Sequence, residues 1–462
     1  MKINIFVTVL LSIIFAVSLL FQFNIAFAIL AAIIYVIISL KSEQAIIKFY
    51  FLIYIFFVEF SSKFNIPISA NRSFNLLGVI QFLLILTFYF KLRSFLQVKK
   101  EYWNKSLIYP MFLFPFILFL TIPFSINLLT SIRGFIGIYS AISLYFLAYF
   151  MITKNKNADK EIFSFIVFIF FVLSIYGIIE YLTNFNIFRS HSITRVVYHN
   201  ITVVGSFRRI HASFMHPSIY AFAILTLLPL IIYYLFKNKK KVYICGFVLL
   251  FINLILTFTR IAWIAVVAQV VFSLFLFKSK RLLGFFLLLL IPVFVVMSGQ
   301  ILTRLTIDSS AEGRSTLFFY GLSIFKAHPL FGSGLETFMD LTSSRFGGTG
   351  VAAHGDYMRM FAETGIFGGL SYLILLFSNL VFAVKNLKRS DFAKVSFLTL
   401  VGFIVFSMTD NGLAYSHIFW GLLGIYNGLI VRDNSRVIYN ISETGYKHYL
   451  NTRSTHVFVE KS

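Results

Sequence analysis

His354, Asp356, Arg359 and Glu363 fall within one short stretch, Ala353-His-Gly-Asp-Tyr-Met-Arg-Met-Phe-Ala-Glu-Thr-Gly-Ile-Phe-Gly368. An imidazole titrates near neutrality, so His354 suits proton transfer to or from a hydroxyl. Tyr357, Met360 and Phe361 follow helical spacing, which predicts a helix with His354 near its start and Glu363 more than two turns deeper. A histidine there can also serve only the helix start through backbone hydrogen bonds. Asp356 has the alternative use of capping or pairing, and Glu363 with Gly365 that of closing the helix against a neighbour.

A second set of candidates is cationic. Arg208 and Arg209 end a stretch rich in arginine and histidine, Arg260 follows the tight turn Thr257-Phe-Thr, and Arg314 follows Gly313. A guanidinium stays charged and grips phosphate or carboxylate as a planar fork, so such arginines point to an anionic substrate. Pairing with nearby acids such as Glu336, Asp340 and Glu363, or with lipid headgroups, is their structural alternative. Beyond Arg314, Leu317, Tyr320, Ile324 and Phe325 fit a short interfacial helix over 315–327 that Pro329 ends. Gly332-x-Gly334 then offers either backbone amides for a phosphate or an ordinary turn, the commoner use outside a strand-turn-helix setting. No HExxH or clustered Cys/His spacing occurs, so neither a metal nor a cofactor is expected.

The elements that carry these residues are set by composition. Of 462 residues 59% are hydrophobic and 12% charged, with a mean hydropathy of +0.87. Too little polar surface remains to cover a soluble globule, so the bilayer is the solvent. Apolar runs long enough to cross a bilayer as helices recur along the chain and lack the dyad alternation of a barrel. The expectation is an all-α, polytopic integral membrane protein of about fourteen transmembrane helices. The spans are placed at 3–21, 24–40, 45–60, 74–90, 107–126, 134–152, 162–183, 214–236, 242–258, 261–277, 282–299, 366–384, 395–409 and 417–431. Met1 and Lys2 begin an uncleaved first span in this reading, and Cys245, the single cysteine, excludes an intrachain disulfide.

Basic clusters at Lys91–Lys105, Lys154–Lys160, Lys237–Lys241, Lys278–Arg281 and Lys385–Lys394 mark cytosolic loops of an inner (plasma) membrane protein. All five fall on one side, with both termini. The net charge of +23 then reflects orientation and anionic lipid, not nucleic acid. This topology leaves 11 of 17 arginines outside but only Lys63 and Lys326 of 23 lysines. Orientation alone does not explain that split.

The expected organisation is seven N-terminal spans over 1–183, an external Arg/His-rich loop at 184–213 and spans over 214–299 with a hairpin at 257–260. A large external loop at 300–365, C-terminal spans over 366–431 and a cytosolic tail at 432–462 follow. Long external loops of this kind are usually functional.

From about Arg208 to Gly368 the sequence resembles the O-antigen ligase and O-antigen polymerase superfamily of membrane glycosyltransferases. Arg209-Ile-His-Ala-Ser-Phe-Met-His216-Pro217 is similar to its arginine followed by a His-Pro pair, and Thr259-Arg260-Ile-Ala-Trp263 to its Ser-Arg-x-x-Trp hairpin. Gly313-Arg314 with His328-Pro329-Leu-Phe-Gly332-x-Gly334, and His354 to Gly368, resemble two further landmarks in order. Gly355 departs from the family, where asparagine follows the histidine, and Thr259 stands for serine.

The resemblance implies a GT-C-like helical bundle with an extracytoplasmic active site. There an undecaprenyl-pyrophosphate-linked glycan would pass to an acceptor glycan with inversion and without a metal. His354, Arg260 and Arg314 would be catalytic; Arg208, Arg209, His216, Asp356, Tyr357 and Arg359 would bind substrate. Membrane lipid, a chain-length regulator and a flippase are the further partners expected. A polymerase is favoured over a ligase acting on lipid A core by span count and the arginine-rich first external loop. A lipid-linked sugar flippase would instead concentrate charges deep in the spans, with internal repeats. A structural scaffold leaves the lysine/arginine split unexplained.

Overall fold

The computed structural model describes residues 43–56, 65–69, 72–97, 102–155, 158–186, 203–204, 207–214, 216–238, 241–278, 298, 309–346, 353–413 and 416–435. The expected spans 3–21 and 24–40, the span 282–299 apart from Ser298, most of the loop 184–213 and the tail beyond 435 lie outside these residues.

The described chain is helical apart from two short antiparallel ribbons, β1 (Asn65–Ser69) with β2 (Arg72–Asn75) and β3 (Val203–Val204) with β4 (Phe207–Arg208). The helices are α1 (Glu43–Phe56), α2 (Leu76–Leu96), α3 (Lys105–Thr121), α4 (Leu128–Lys154), α5 (Ala158–Thr183) and α6 (Pro217–Asn238). After them come α7 (Lys241–Leu256), α8 (Arg260–Phe277), α9 (Ser309–Ala327), α10 (Phe338–Phe346), α11 (Asp356–Asn386) and α12 (Asp391–Phe406), then α13 over 417–435. Each expected span from 45 to 277, and those at 366–384, 395–409 and 417–431, overlaps one of these helices. Among the described residues six helices are long and apolar enough to cross a membrane, within α3, α4, α5, α6, α8 and α11. Shorter apolar helices cover Gln44–Ile55, Ile80–Leu92 and Val242–Leu256.

Packing pairs α11 with α3, α8 and α6 with α12, and α2 with α4. Within the apolar interior, polar side chains join helices whose backbone groups are already spent. Asn427 Nδ2 donates to Tyr145 Oη (3.1 Å) and Asn379 Oδ1 (2.9 Å), while its Oδ1 accepts from Ser396 Oγ (3.0 Å). One amide thereby fastens α4, α11, α12 and α13, and an unmade bond there would cost about 1–3 kcal/mol.

The bundle has two chemically distinct ends. At one, Lys154 donates to Ser94 O (2.9 Å), Arg432 pairs with Asp159 (3.3 Å) and Ser390 donates to Asp433 (2.9 Å). Lys394 lies over the Phe277 ring, which stacks on Phe236. Residues in or beside all five basic clusters therefore meet at this end. The opposite end, among the described residues, is built from the connections 122–127, 209–214, 257–259, 328–337, 353–355 and 407–413.

The region expected as a single external loop at 300–365 is largely folded where it is described. The interfacial helix starts at Ser309 rather than Ser315, so Gly313 and Arg314 lie inside it, and α11 begins at Asp356, so that one helix runs from the predicted start near His354 through the span expected at 366–384. Apolar periodicity located the helix, but its polar first turns carried no such signal.

Candidate functional site

The site grows from a turn that arginine holds. Helix α7 ends as Thr257 N donates to Asn253 O (3.0 Å), and Phe258 takes a left-handed conformation (φ 49°) before α8 starts at Arg260. Arg209 clamps this turn, with Nε on Thr257 O (2.9 Å) and one terminal nitrogen on Thr259 Oγ1 (3.3 Å). Its backbone neighbour helps, as Ile210 N donates to Leu256 O (3.1 Å). Arg209 thus satisfies a carbonyl at a helix C-terminus while bringing its positive charge beside Arg260. Arg208 lies just before it, exposed on β4.

The segment bearing Arg209 is held from below by a residue absent from the sequence candidates. Glu180, buried in the last turn of α5, accepts from Ala212 N (2.8 Å), His211 N (3.3 Å) and Asn186 Nδ2 (2.7 Å). Its signal in the sequence is a lone acid within an apolar span, where an ionisable group is costly unless it has a task.

His211 Nδ1 faces Phe214 O, so that nitrogen carries the proton, and Nε2 is left to accept from Asn186 Nδ2 (3.4 Å). Burial lowers the His211 pKa to about 4, so the imidazole is neutral and its 3.5 Å approach to Glu180 is not an ion pair. His216 Nδ1 accepts from Ser218 N (3.2 Å) and lies 2.7 Å from Ser218 Oγ, capping α6. Burial, then repulsion from Arg209, His211 and His354, lowers its pKa to about 3. Those repulsions place Arg209, His216 and His354 in one electrostatic neighbourhood.

His354 is exposed at the start of α11, between buried Ala353 and Gly355. Gly355 has φ 97°, and a Cβ there would stand 2.7 Å from Met408 O. The family's asparagine does not fit this backbone, which gives the departure at Gly355 a steric reason. Asp356 is fully buried, donating its N–H to Ser407 O (2.9 Å) and accepting from Leu413 N (2.7 Å), and Tyr357 Oη donates to Ile404 O (3.1 Å). Both expected substrate contacts are engaged in fastening α11 to α12 and the loop after it.

Arg359 Nε donates to Glu363 Oε2 (3.1 Å), the acid pairing that the sequence left open for the outer arginines. Arg133 likewise lies 3.6 Å from Glu336. Glu363 is buried and also accepts from Glu336 N (2.9 Å) and Phe338 N (3.3 Å). It ties α11 to the segment leading into α10.

Gly332-x-Gly334 takes the turn reading. Gly332 N donates to His328 O (3.0 Å), Ser333 N to Ala362 O (3.1 Å) and Gly334 N to Glu363 O (2.8 Å), so these amides are spent inside the protein. Gly365 (φ 66°, ψ −165°) breaks the helical conformation of α11 and lets Ile366 N donate to Pro329 O (2.8 Å). A Cβ on Gly332 would overlap the Glu363 backbone, and one on Gly365 the carbonyl of Leu330. Two backbones therefore touch directly.

Helix α9 packs on the first turns of α11 through Ile324, Phe338, Ala353 and Ala362. The Gly321–Met358 and Phe325–Phe361 contacts run in the same direction along both helices, so the backbone of Arg314, two turns before Gly321, falls at the His354 end of α11. The structure thus brings Arg209, His216, the Arg260 turn, His354 and the Arg314 backbone to one end of the bundle. Asp356, Tyr357 and Arg359 sit beneath them as fastenings. Among the described residues no group of three His, Cys, Asp or Glu side chains could hold a metal ion.

No curated protein matches the chain. Residues 245–373, which contain Arg260, Arg314, His354 and the interlocked Gly332 and Gly365, match the family model described as O-antigen ligase. Through that segment the chain is similar to the O-antigen ligase family, and the similarity supports its place in the O-antigen ligase and O-antigen polymerase superfamily.

Proposed function

We propose that this integral membrane protein is a glycosyltransferase that moves a glycan from an undecaprenyl-pyrophosphate carrier to an acceptor sugar at the outer face of the plasma membrane. The observation that supports the reading is the Arg209 clamp on the Thr257–Thr259 turn, which leads directly into Arg260, together with the nearness of Arg209 and His354 to His216. An acceptor hydroxyl attacks the anomeric carbon from the face opposite the carrier, giving inversion. The bond from that carbon to the pyrophosphate oxygen breaks, and the bonding pair leaves with the pyrophosphate. His354 takes the hydroxyl proton. Arg260, Arg314 and Arg209 oppose the charge developing on the leaving group, the kind of electrostatic stabilisation that supplies much of an enzyme's rate. No metal takes part.

The lysine-rich end faces the cytosol in this reading, with both termini, and the remaining spans bring the total to about fourteen. Extension of the glycan on its own carrier, polymerisation, is favoured by the arginine-rich first external loop. The family description O-antigen ligase favours a second reading, transfer to lipid A core or another acceptor.

Right-side-out membrane vesicles supplied with lipid-linked donor, with products resolved on a gel, test the reaction. Ladder growth on the carrier supports the polymerase, a shift of an added acceptor supports the ligase, and donor reorientation without a new bond would leave the flippase. His354→Ala is expected to abolish transfer; unchanged turnover removes His354 from the mechanism. Activity in excess chelator tests metal independence, and reporter fusions near Arg209 and Arg314 test sidedness.

A further inference from the structure

At the lysine end, a cleft of about 420 Å³ opens between α3, α11 and α13. Lys385 and Arg389 line one side, Asn104 and Ser106 the other, and Phe377 and Val381 the wall that descends along α11. Lys385 and Arg389 are exposed, and no described carboxylate forms an ion pair with either. Among the described acids at this end, Asp159 pairs with Arg432 (3.3 Å), Glu161 with Lys48 (3.2 Å) and Asp391 with Lys394 (2.9 Å), and Asp433 accepts from Ser390 Oγ (2.9 Å). Ser106 Oγ donates to Asn104 Oδ1 (2.6 Å), which leaves the Asn104 amide nitrogen as a neutral donor in the cleft.

The cleft is graded. Two cations and an amide lie at the level where a span ends, while Phe377, 67% exposed, and Val381 lie one to three turns deeper in the apolar part of the helix. A free inorganic anion would use only the top of such a site. A phosphodiester on a diacylglycerol uses both parts: the guanidinium fork and the ammonium take the phosphate oxygens, and an acyl chain lies along Phe377 and Val381.

We propose that this cleft is a binding site for an anionic glycerophospholipid, separate from the arginine and histidine site at the opposite end of the bundle. The proposal needs the membrane setting but not the transfer reaction. The bound lipid would join the C-terminal ends of α11 and α13 to the start of α3, so it stabilises the bundle where basic loops alone would repel one another.

The test uses the full-length protein in neutral detergent, with the unfolding temperature followed as phosphatidylglycerol, phosphatidylcholine or inorganic phosphate is added. Phosphatidylglycerol is expected to raise the unfolding temperature by several degrees, and native mass spectrometry is expected to retain one lipid per chain. The pair Lys385→Gln and Arg389→Gln should lose most of that shift, while Lys160→Gln with Lys278→Gln, an equal change of charge outside the cleft, should keep it. Ser378→Phe fills the cleft without changing charge and should also lose it, which decides the matter if the charge variant folds poorly. An equal shift with phosphatidylcholine, or equal loss in both charge variants, overturns the site. A full shift with inorganic phosphate overturns the lipid as its occupant.

Discussion

Arg209 donates through Nε to Thr257 O at 2.9 Å and through a terminal nitrogen to Thr259 Oγ1 at 3.3 Å. An arginine 48 positions ahead of the turn in sequence is thus part of the turn itself. The fork geometry, beyond the charge, sets where Arg260 stands. Arg209→Lys keeps the charge and loses the two-point grip, so glycan transfer should fall at least about tenfold. Full activity in the lysine variant would reduce Arg209 to a source of positive potential.

Glu180 should act on the site from a distance. Glu180→Gln leaves one amide where a carboxylate accepted from Ala212 N and His211 N, and the Arg209 segment loses its anchor. A buried backbone donor left without its acceptor costs about 1–3 kcal/mol, so a fall in unfolding temperature is expected with an impairment of transfer resembling that of Arg209→Lys. Combining the two changes should add little more activity loss than either alone. Simple additivity would separate Glu180 from the clamp.

The backbone interlock should be intolerant of a single methyl group. Gly365→Ala meets both the positive φ and the Leu330 carbonyl, and Gly332→Ala meets the Glu363 backbone. Strain of this kind costs more than about 1 kcal/mol before the overlap is counted. Both variants should unfold several degrees lower, whereas Gly313→Ala, which meets nothing within 4 Å, should not. Thermal unfolding in detergent compares the three.

Removing the Glu363 carboxylate should cost more. Glu363→Ala removes the acceptor of Nε on Arg359, which is mostly buried, and of two amides. Breaking one side of a buried pair costs about 3–5 kcal/mol. Loss of folded protein on expression is the expected outcome, and near-normal yield would contradict the pairing.

The His216 environment sets an acid limit. Its pKa falls from 6.5 unfolded to about 3 folded, first through burial and then through Arg209, His211 and His354. Between those values the unfolded chain binds the extra proton, so this contribution is complete above about pH 6.5 and declines as pH falls toward 3. His216→Asn keeps an acceptor for Ser218 N and removes the titration. Its unfolding temperature should fall less steeply below pH 6.5 than that of the parent protein, and parallel slopes would contradict the assignment.

The sequence by itself determined the solvent, the helices and the segregation of lysine from arginine, because apolar run length and local charge are properties of contiguous residues. The resemblance to a known family, added to the chemistry of guanidinium and imidazole groups, is what singled out Arg209, Arg260, Arg314 and His354 as candidates. Only the tertiary structure separated the groups at the site's surface from the residues that fasten it. In one dimension Asp356, Tyr357 and Arg359 are substrate candidates through the resemblance, and Glu363 reads as closing its helix against a neighbour. In three dimensions Asp356 Oδ2 accepts from Leu413 N, Tyr357 Oη donates to Ile404 O, and Glu363 accepts from Glu336 N, Phe338 N and Arg359 Nε. For Gly332-x-Gly334 the sequence leaves a phosphate loop beside the commoner ordinary turn, and in the structure Ala362 O and Glu363 O accept from Ser333 N and Gly334 N. Apart from the Arg359–Glu363 pair, one helical turn apart, these partners lie 25 to 57 residues away and leave no periodic trace, and burial, which decides whether a polar group is spent or available, exists only once the helices have packed.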